Sequence, residues 1–176
     1  MTNYFELYGL PVSFYPDNAT VKKMFYELSR QNHPDRFANA NKASQSDSLQ
    51  MAALNNEAYK TLTNEYATMA YILKMNNLLE DEEKYSLPPD FLMEMMELNE
   101  AISEYELEPT NQDMKEEAIK SLQVQVDYWQ KEIQPLVDRF ETGERDKTLL
   151  LEIKDYYFRK KYLLRIQERI ATFAAH

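Results

Sequence analysis

Apolar residues return at intervals of three and four along most of this chain, the spacing that lines one side of an α-helix. A short apolar start (Tyr4, Phe5, Leu7, Leu10) precedes a helix predicted from about Asn18 to Asn32, with Asn18 as its N-cap and Val21, Phe25 and Leu28 on its buried face. The opposite face is basic. Pro34 pushes His33 out of α geometry and ends this helix. The polar stretch from Asn39 to Ser48 then reads as a loop, because Asn and Ser side chains compete for main-chain hydrogen bonds. A second long helix follows, with Leu54, Ala58 and Leu62 as its inner stripe and Tyr59 beside them. A shorter one from about Tyr66 to Met75 closes the unit. Acidic residues, Asn76-Asn77 early and Pro88-Pro89 late, and a weak period mark the next stretch as a linker. The predicted organisation is a domain over residues 1–76, a linker over 77–89 and a second domain over 90–176.

Three helical patterns in the second domain fit an antiparallel bundle. In the middle one Ala118, Leu122, Val126, Trp129, Ile133, Leu136 and Phe140 form a continuous seam, with a kink expected at Pro135. The last, roughly Lys147 to Phe173, carries Ile153, Tyr156, Leu163, Ile166 and Ile170 on a similar seam. The first, Asp90 to Glu106, has more apolar surface than a core stripe needs. At roughly 100° per residue, Phe91, Met95, Leu98, Ile102 and Tyr105 fall within about 80° of arc and make a complete core face. Leu92, Met93, Met96, Glu97, Glu100 and Glu104 gather on the opposite side, where a plain solvated face is the ordinary arrangement. Exposed Leu and Met are common singly; clustered with carboxylates they form a candidate docking surface.

Composition narrows the chemistry. With 2 Gly among 176 residues and an abundance of good helix formers, the fold class is all-α. A formal charge of -10 disfavours phosphate backbones and anionic lipid as main partners and points to protein. The absence of Cys removes disulfides, zinc fingers and iron–sulfur ligation by the chain's own thiols, and fits a reducing compartment. No apolar run approaches the roughly 20 residues of a membrane span, and Met1 to Glu6 lack the layout of a signal peptide, so the expected address is the cytoplasm. The Glu-rich helix invites comparison with di-iron carboxylate bundles, but the only His residues are His33, in a loop, and His176, at the end of the sequence. A serine-type triad would lean on His33 with no Gly-rich nucleophile turn. Neither a catalytic residue nor a metal site is predicted.

The remaining motif is His33-Pro34-Asp35, followed by Arg36-Phe37, in the turn between the two long helices of the first domain. Pro34 fixes the backbone, while His33 and Asp35 present groups that donate, accept and carry charge. Turn chemistry alone also accounts for Pro and Asp at a helix end. Placement decides between them. A basic helix bearing Lys22, Lys23 and Arg30, then His33-Pro34-Asp35-Arg36-Phe37, then Asn56-Glu57-Ala58-Tyr59-Lys60-Thr61-Leu62, resembles the J-domain. Phe91-Leu92-Met93-Glu94 with Glu97-Leu98 and Glu100 resembles the start of the C-terminal three-helix domain of the HscB family of J-domain co-chaperones, so the resemblance spans essentially the whole chain.

That resemblance implies an adaptor without catalysis or cofactor. Its two partners would be a heat-shock-70 class chaperone, whose ATPase it stimulates, and the scaffold protein on which iron–sulfur clusters are assembled. It assigns the ATPase contact to His33, Pro34 and Asp35, with Lys22, Lys23, Arg30 and Arg36 as the complement to an acidic chaperone surface. It assigns scaffold binding to Leu92, Met93, Met96, Glu97, Glu100 and Glu104, the face already derived from angles, and adds Phe158 from the last helix. Two departures stand out: Thr68 occupies a place where the family usually carries Arg, and Pro135 has no expected counterpart. The lack of paired cysteines implies the shorter, zinc-free type, and the N-terminal sequence favours a bacterial cytoplasmic protein over a mature mitochondrial one. The alternative reading is a general J-protein or helical interaction module with a different client.

Overall fold

The structure, a computed structural model, describes residues 3–174; Met1, Thr2, Ala175 and His176 lie outside them. Every regular element among the described residues is helical, as composition predicts: α1 Tyr4–Leu7, α2 Asn18–Gln31, a 3-10 turn Pro34–Phe37, α3 Lys42–Leu62, α4 Glu65–Met75, α5 Pro89–Leu107, α6 Gln112–Glu141 and α7 Lys147–Ala174. The chain divides into two compact units between Asn76 and Asn77. At that point Asn76 closes α4 by donating to the Ile72 carbonyl at 2.8 Å, and Asn77 takes the left-handed conformation (φ 56°) that stops a helix.

In the first unit α2 and α3 run antiparallel, fixed by a ladder of side-chain contacts. Ser48 reaches the Asn32 carbonyl (2.8 Å), Asn55 reaches Ser29 Oγ and the Phe25 carbonyl (3.0 Å each), and the rings of Tyr59 and Phe25 stack at 4.2 Å. Asp17, rather than Asn18, caps α2, its carboxylate accepting from the Thr20 amide; those bonds from Thr20 hold its carboxyl below the usual range. Ala58 and Leu62 of the predicted α3 stripe are buried, and a polar residue joins them at the centre of the pair. Asn55 is buried and accepts the Tyr8 hydroxyl at 2.8 Å, and burial raises the Tyr8 phenol well above its ordinary pKa. Thr68 is also buried, its hydroxyl donating to the Thr61 carbonyl and joining α4 to the end of α3.

The largest departure from expectation lies between Asn39 and Ser48. Only its beginning is loop: Asn41 caps α3 by accepting from the Ser44 amide at 2.8 Å, and helix continues from Lys42. The Asn and Ser residues that argued against helix act as its cap and its buried contact.

In the second unit α5 runs antiparallel to α6, α6 antiparallel to α7, and α5 parallel to α7, an up-down-up bundle. All five residues predicted for the α5 core, Phe91, Met95, Leu98, Ile102 and Tyr105, are buried. On α6, Val137 is buried in place of Leu136. The helix runs unbroken through Pro135, whose ring is on the exposed side, between the buried neighbours Ile133 and Val137. The stretch 77–88 is non-helical and packs on α7. Leu79 is buried, Glu83 pairs with Lys154, and Tyr85 stacks on Phe158.

Candidate functional site

The first candidate site begins where α2 stops. Asn32 caps α2 and His33 turns into extended geometry (φ -64°, ψ 133°), the conformation that a following proline imposes. Pro34 then opens the 3-10 turn, in which the Arg36 amide donates to the His33 carbonyl at 3.0 Å. Surrounding side chains fix this turn by taking up its carbonyls. Gln45 donates to the Phe37, Ala38 and Ala40 carbonyls at 3.1, 3.3 and 3.1 Å, Ser48 to that of Asn32, and Arg36 back to that of Arg30 at 3.3 Å. Both flanks of the tripeptide are therefore tied to α2 and α3.

What the turn presents is polar and accessible. His33 Nδ1 accepts the Asp35 amide at 3.3 Å and lies 3.5 Å from Asp35 Oδ2. The Asp35 carboxylate is 91% exposed. A carboxylate so exposed contributes little to the fold and is available to a partner. Lys22, Lys23, Arg30 and Arg36 are all exposed. Arg30, His33 and Arg36 are brought together, with Tyr26 and Ser29, around a shallow groove of about 420 Å3; Lys22 and Lys23 extend the cationic side about two turns back from Arg30 along α2. Sequence reasoning missed three contributors. Gln45 and Ser48 fell within the expected loop, and Tyr26, exposed one turn from Arg30, is an apolar residue on a basic face that angular counting along α2 would have flagged.

On α5 the structure separates two faces of one helix. Met93 and Met96 are 63% and 70% exposed, Leu92 is exposed beside them, and Glu97, Glu100 and Glu104 are exposed on the same side, whereas Met95 and Leu98 are buried. The six residues named from the α5 sequence thus share one open surface. Arg169 of α7 steadies the adjoining edge, bonding Asn99 (2.9 Å), Ser103 (3.2 Å) and Glu106.

Phe158 stands apart from that open surface. It is 7% exposed, its ring lying parallel to that of Tyr85 at 4.4 Å and meeting Tyr157 edge-on at 5.2 Å. Tyr85 is fixed in turn by its hydroxyl, which donates to Asp155 at 2.8 Å; burial, then this bond, pushes the phenol pKa up to about 12. Phe158, which the resemblance assigns to scaffold binding, is thus covered in this structure. The segment read as a linker covers it, because Tyr85 gains apolar contact on α7 that solvent does not provide.

Among the described residues no three His, Asp or Glu side chains converge as ligands for a metal, and no helix is long and apolar enough to cross a membrane.

Comparison with known proteins finds likeness in sequence and in fold. The family model described as the HSCB C-terminal oligomerisation domain matches residues 87–171. A co-chaperone protein HscB homolog of Vibrio vulnificus is 40% identical over 103 residues, 58% of this chain and 60% of that protein. One from Cupriavidus taiwanensis is 38% identical over 103 residues, 58% of each. The matched stretches thus span about three fifths of these relatives. The crystal structure of human co-chaperone protein HscB superposes with a TM-score of 0.80 at 26% identity, over 98% of this chain and 82% of that one. Chaperone HscB from Vibrio cholerae gives 0.76 at 24% identity over 97% and 96%, a likeness of fold. With a solvent-facing His-Pro-Asp turn in an all-helical first unit and a second unit that matches the HSCB C-terminal domain, the chain is similar in sequence and fold to HscB co-chaperones.

Proposed function

We propose that the chain is an adaptor that stimulates the ATPase of a heat-shock-70 class chaperone and delivers to it an iron–sulfur cluster scaffold protein, supporting iron–sulfur protein maturation in a reducing compartment such as the bacterial cytoplasm. The observation that carries this reading is the exposed His33-Pro34-Asp35 turn, held from both sides by Ser48, Gln45 and Arg36 at the end of a cationic face.

A turn fixed in advance loses little conformational entropy when a partner engages it. Lys22, Lys23, Arg30 and Arg36 would attract an acidic chaperone surface and orient the encounter, while His33 and Asp35 form the specific contacts. Acceleration of hydrolysis requires that these contacts be stronger with the hydrolysis-competent state of the chaperone than with its resting state, since a ligand shifts an equilibrium only by its differential affinity. The other attachment is the Leu92, Met93 and Met96 surface ringed by Glu97, Glu100 and Glu104, which suits a scaffold patch of mixed apolar and basic character. Holding both partners on one chain raises the effective concentration of client at the chaperone to the order of millimolar.

The test is the steady-state ATPase rate of a matching heat-shock-70 chaperone with the wild-type protein and with Asp35→Asn, each with and without scaffold protein. The reading requires stimulation that Asp35→Asn abolishes and scaffold amplifies. Failure of the wild type to stimulate would overturn it; stimulation without a scaffold effect would leave a general J-protein whose bundle serves another client.

A further inference from the structure

The segment between the two proposed docking elements is attached to one of them. From Leu79 to Pro88 the chain is non-helical and lies along the start of α7. Lys154 donates to Glu83 at 2.5 Å, the Tyr85 hydroxyl donates to Asp155 at 2.8 Å, and the rings of Tyr85 and Phe158 are parallel to within 1°. The attachment points on α7 are Lys154 and Asp155 on one turn and Phe158 on the next, their i+4 and i+3 neighbour.

We propose that this segment is a displaceable strap, with Tyr85 occupying the face of Phe158 that the client would otherwise take. The proposal rests on the reading of Phe158 as part of the scaffold-binding surface. An aromatic side chain anchors an interface by burying its faces against the partner, and a parallel ring 4.4 Å away leaves no room for one. Leu92, Met93 and Met96 are open in the free protein, so a client can engage α5 first and gain Phe158 only when Tyr85 lifts. The strap is suited to lift. Besides the burial of Leu79, its attachments to α7 include an ion pair, a phenol–carboxylate bond and one ring stack, each separately replaceable, rather than a helix or ladder that must unfold as a unit. Covering Phe158 also keeps an apolar ring out of water until a client arrives.

Affinity measured on the whole protein is then reduced by the fraction of molecules in which the strap is lifted, and loosening the strap raises it. Titration calorimetry of the full chain with apo iron–sulfur scaffold protein is expected to give binding about three- to tenfold tighter for Tyr85→Ala, the stack being the largest restraint, and a smaller gain for Tyr85→Phe, which keeps the stack and loses the bond to Asp155. Met96→Ala, on the open face, is expected to weaken binding, and thermal melts establish that each variant is folded. Hydrogen exchange of amides 79–88 should quicken when scaffold binds the wild type. If Tyr85→Ala binds equally or more weakly while Met96→Ala weakens binding, the strap is refuted and the α5 face stands. If the wild type does not bind, the scaffold reading fails and the strap with it; if Met96→Ala is neutral, the client does not dock on this face of α5 and the proposed order of engagement is refuted.

Discussion

The hydroxyl of Ser48 in α3 donates at 2.8 Å to the main-chain carbonyl of Asn32, the last residue before the His-Pro-Asp turn. It satisfies a carbonyl that the end of α2 leaves without a helical partner and sets the distance between α3 and the turn. Ser48 is buried and makes no part of the exposed surface, so its contribution to function is through position. Ser48→Ala is expected to cost about 1 kcal/mol of stability, in the range of one lost buried hydrogen bond. It should also lower stimulation of the chaperone ATPase at subsaturating protein more than at saturation, because a looser turn binds more weakly and engages the chaperone in the same way once bound. Thermal denaturation and ATPase titrations check both.

The Tyr8–Asn55 pair makes a stronger demand. Asn55 accepts the phenol and donates to two groups of α2, so one side chain joins the N-terminal segment, α2 and α3. Asn55→Leu would leave the Phe25 carbonyl and Ser29 hydroxyl facing an apolar group, while the Tyr8 hydroxyl retains the Asn55 main-chain carbonyl at 3.0 Å. The expected loss is about 2–3 kcal/mol, seen as a lower denaturation midpoint of the N-terminal unit. An unchanged midpoint would show that the network contributes no net stability.

These residues mark where the sequence was legible. The α5 core needed only angular counting, because Phe91, Met95, Leu98, Ile102 and Tyr105 form an apolar stripe whose burial no polar contact contests. The open face of the same helix followed by subtraction. The Asn39–Ser48 region went the other way: single-residue preference favours loop for Asn and Ser, and tertiary contacts overrode it, with Asn41 capping α3 and Ser48 bonded to Asn32. Asn55 was passed over beside Leu54 because its value depends on Tyr8, 47 residues away. Phe158 and Tyr85 present the same difficulty at a site. Each reads as an ordinary aromatic, and only folding puts one over the other.

The strap carries its own pH dependence. Glu83 accepts from Lys154, and that bond, ahead of the opposing effect of burial, holds its carboxyl below the ordinary range; the Glu80 amide adds to it. A depressed carboxyl contributes stability that is fully present above its unfolded pKa of about 4.3 and is lost as pH falls through the folded value. The attachment should therefore hold constant from neutral pH to about pH 5 and weaken below it. The ring-current shifts of Phe158 under Tyr85 report the change by NMR. The Asp155 carboxylate also faces Tyr85 and Arg159, so Glu83→Gln is the control: it should remove the part of the transition that belongs to Glu83.

Met95 and Met96 are neighbours in sequence with opposite surroundings, the first fully buried in the bundle and the second 70% exposed. Truncating Met95 removes a core side chain and leaves a cavity, so Met95→Ala should cost about 2–5 kcal/mol of stability. Scaffold affinity should change only as far as the bundle loosens. Met96→Ala removes atoms that touch mainly water and should leave stability within about 0.5 kcal/mol of wild type. If Met96 anchors the client, its loss should weaken scaffold binding by about 1–2 kcal/mol, roughly five- to thirtyfold. Urea denaturation and calorimetric titration of both variants separate the two roles. Loss of scaffold affinity in Met95→Ala alone, with Met96→Ala indistinguishable from wild type in both measurements, would move the docking surface off this face of α5.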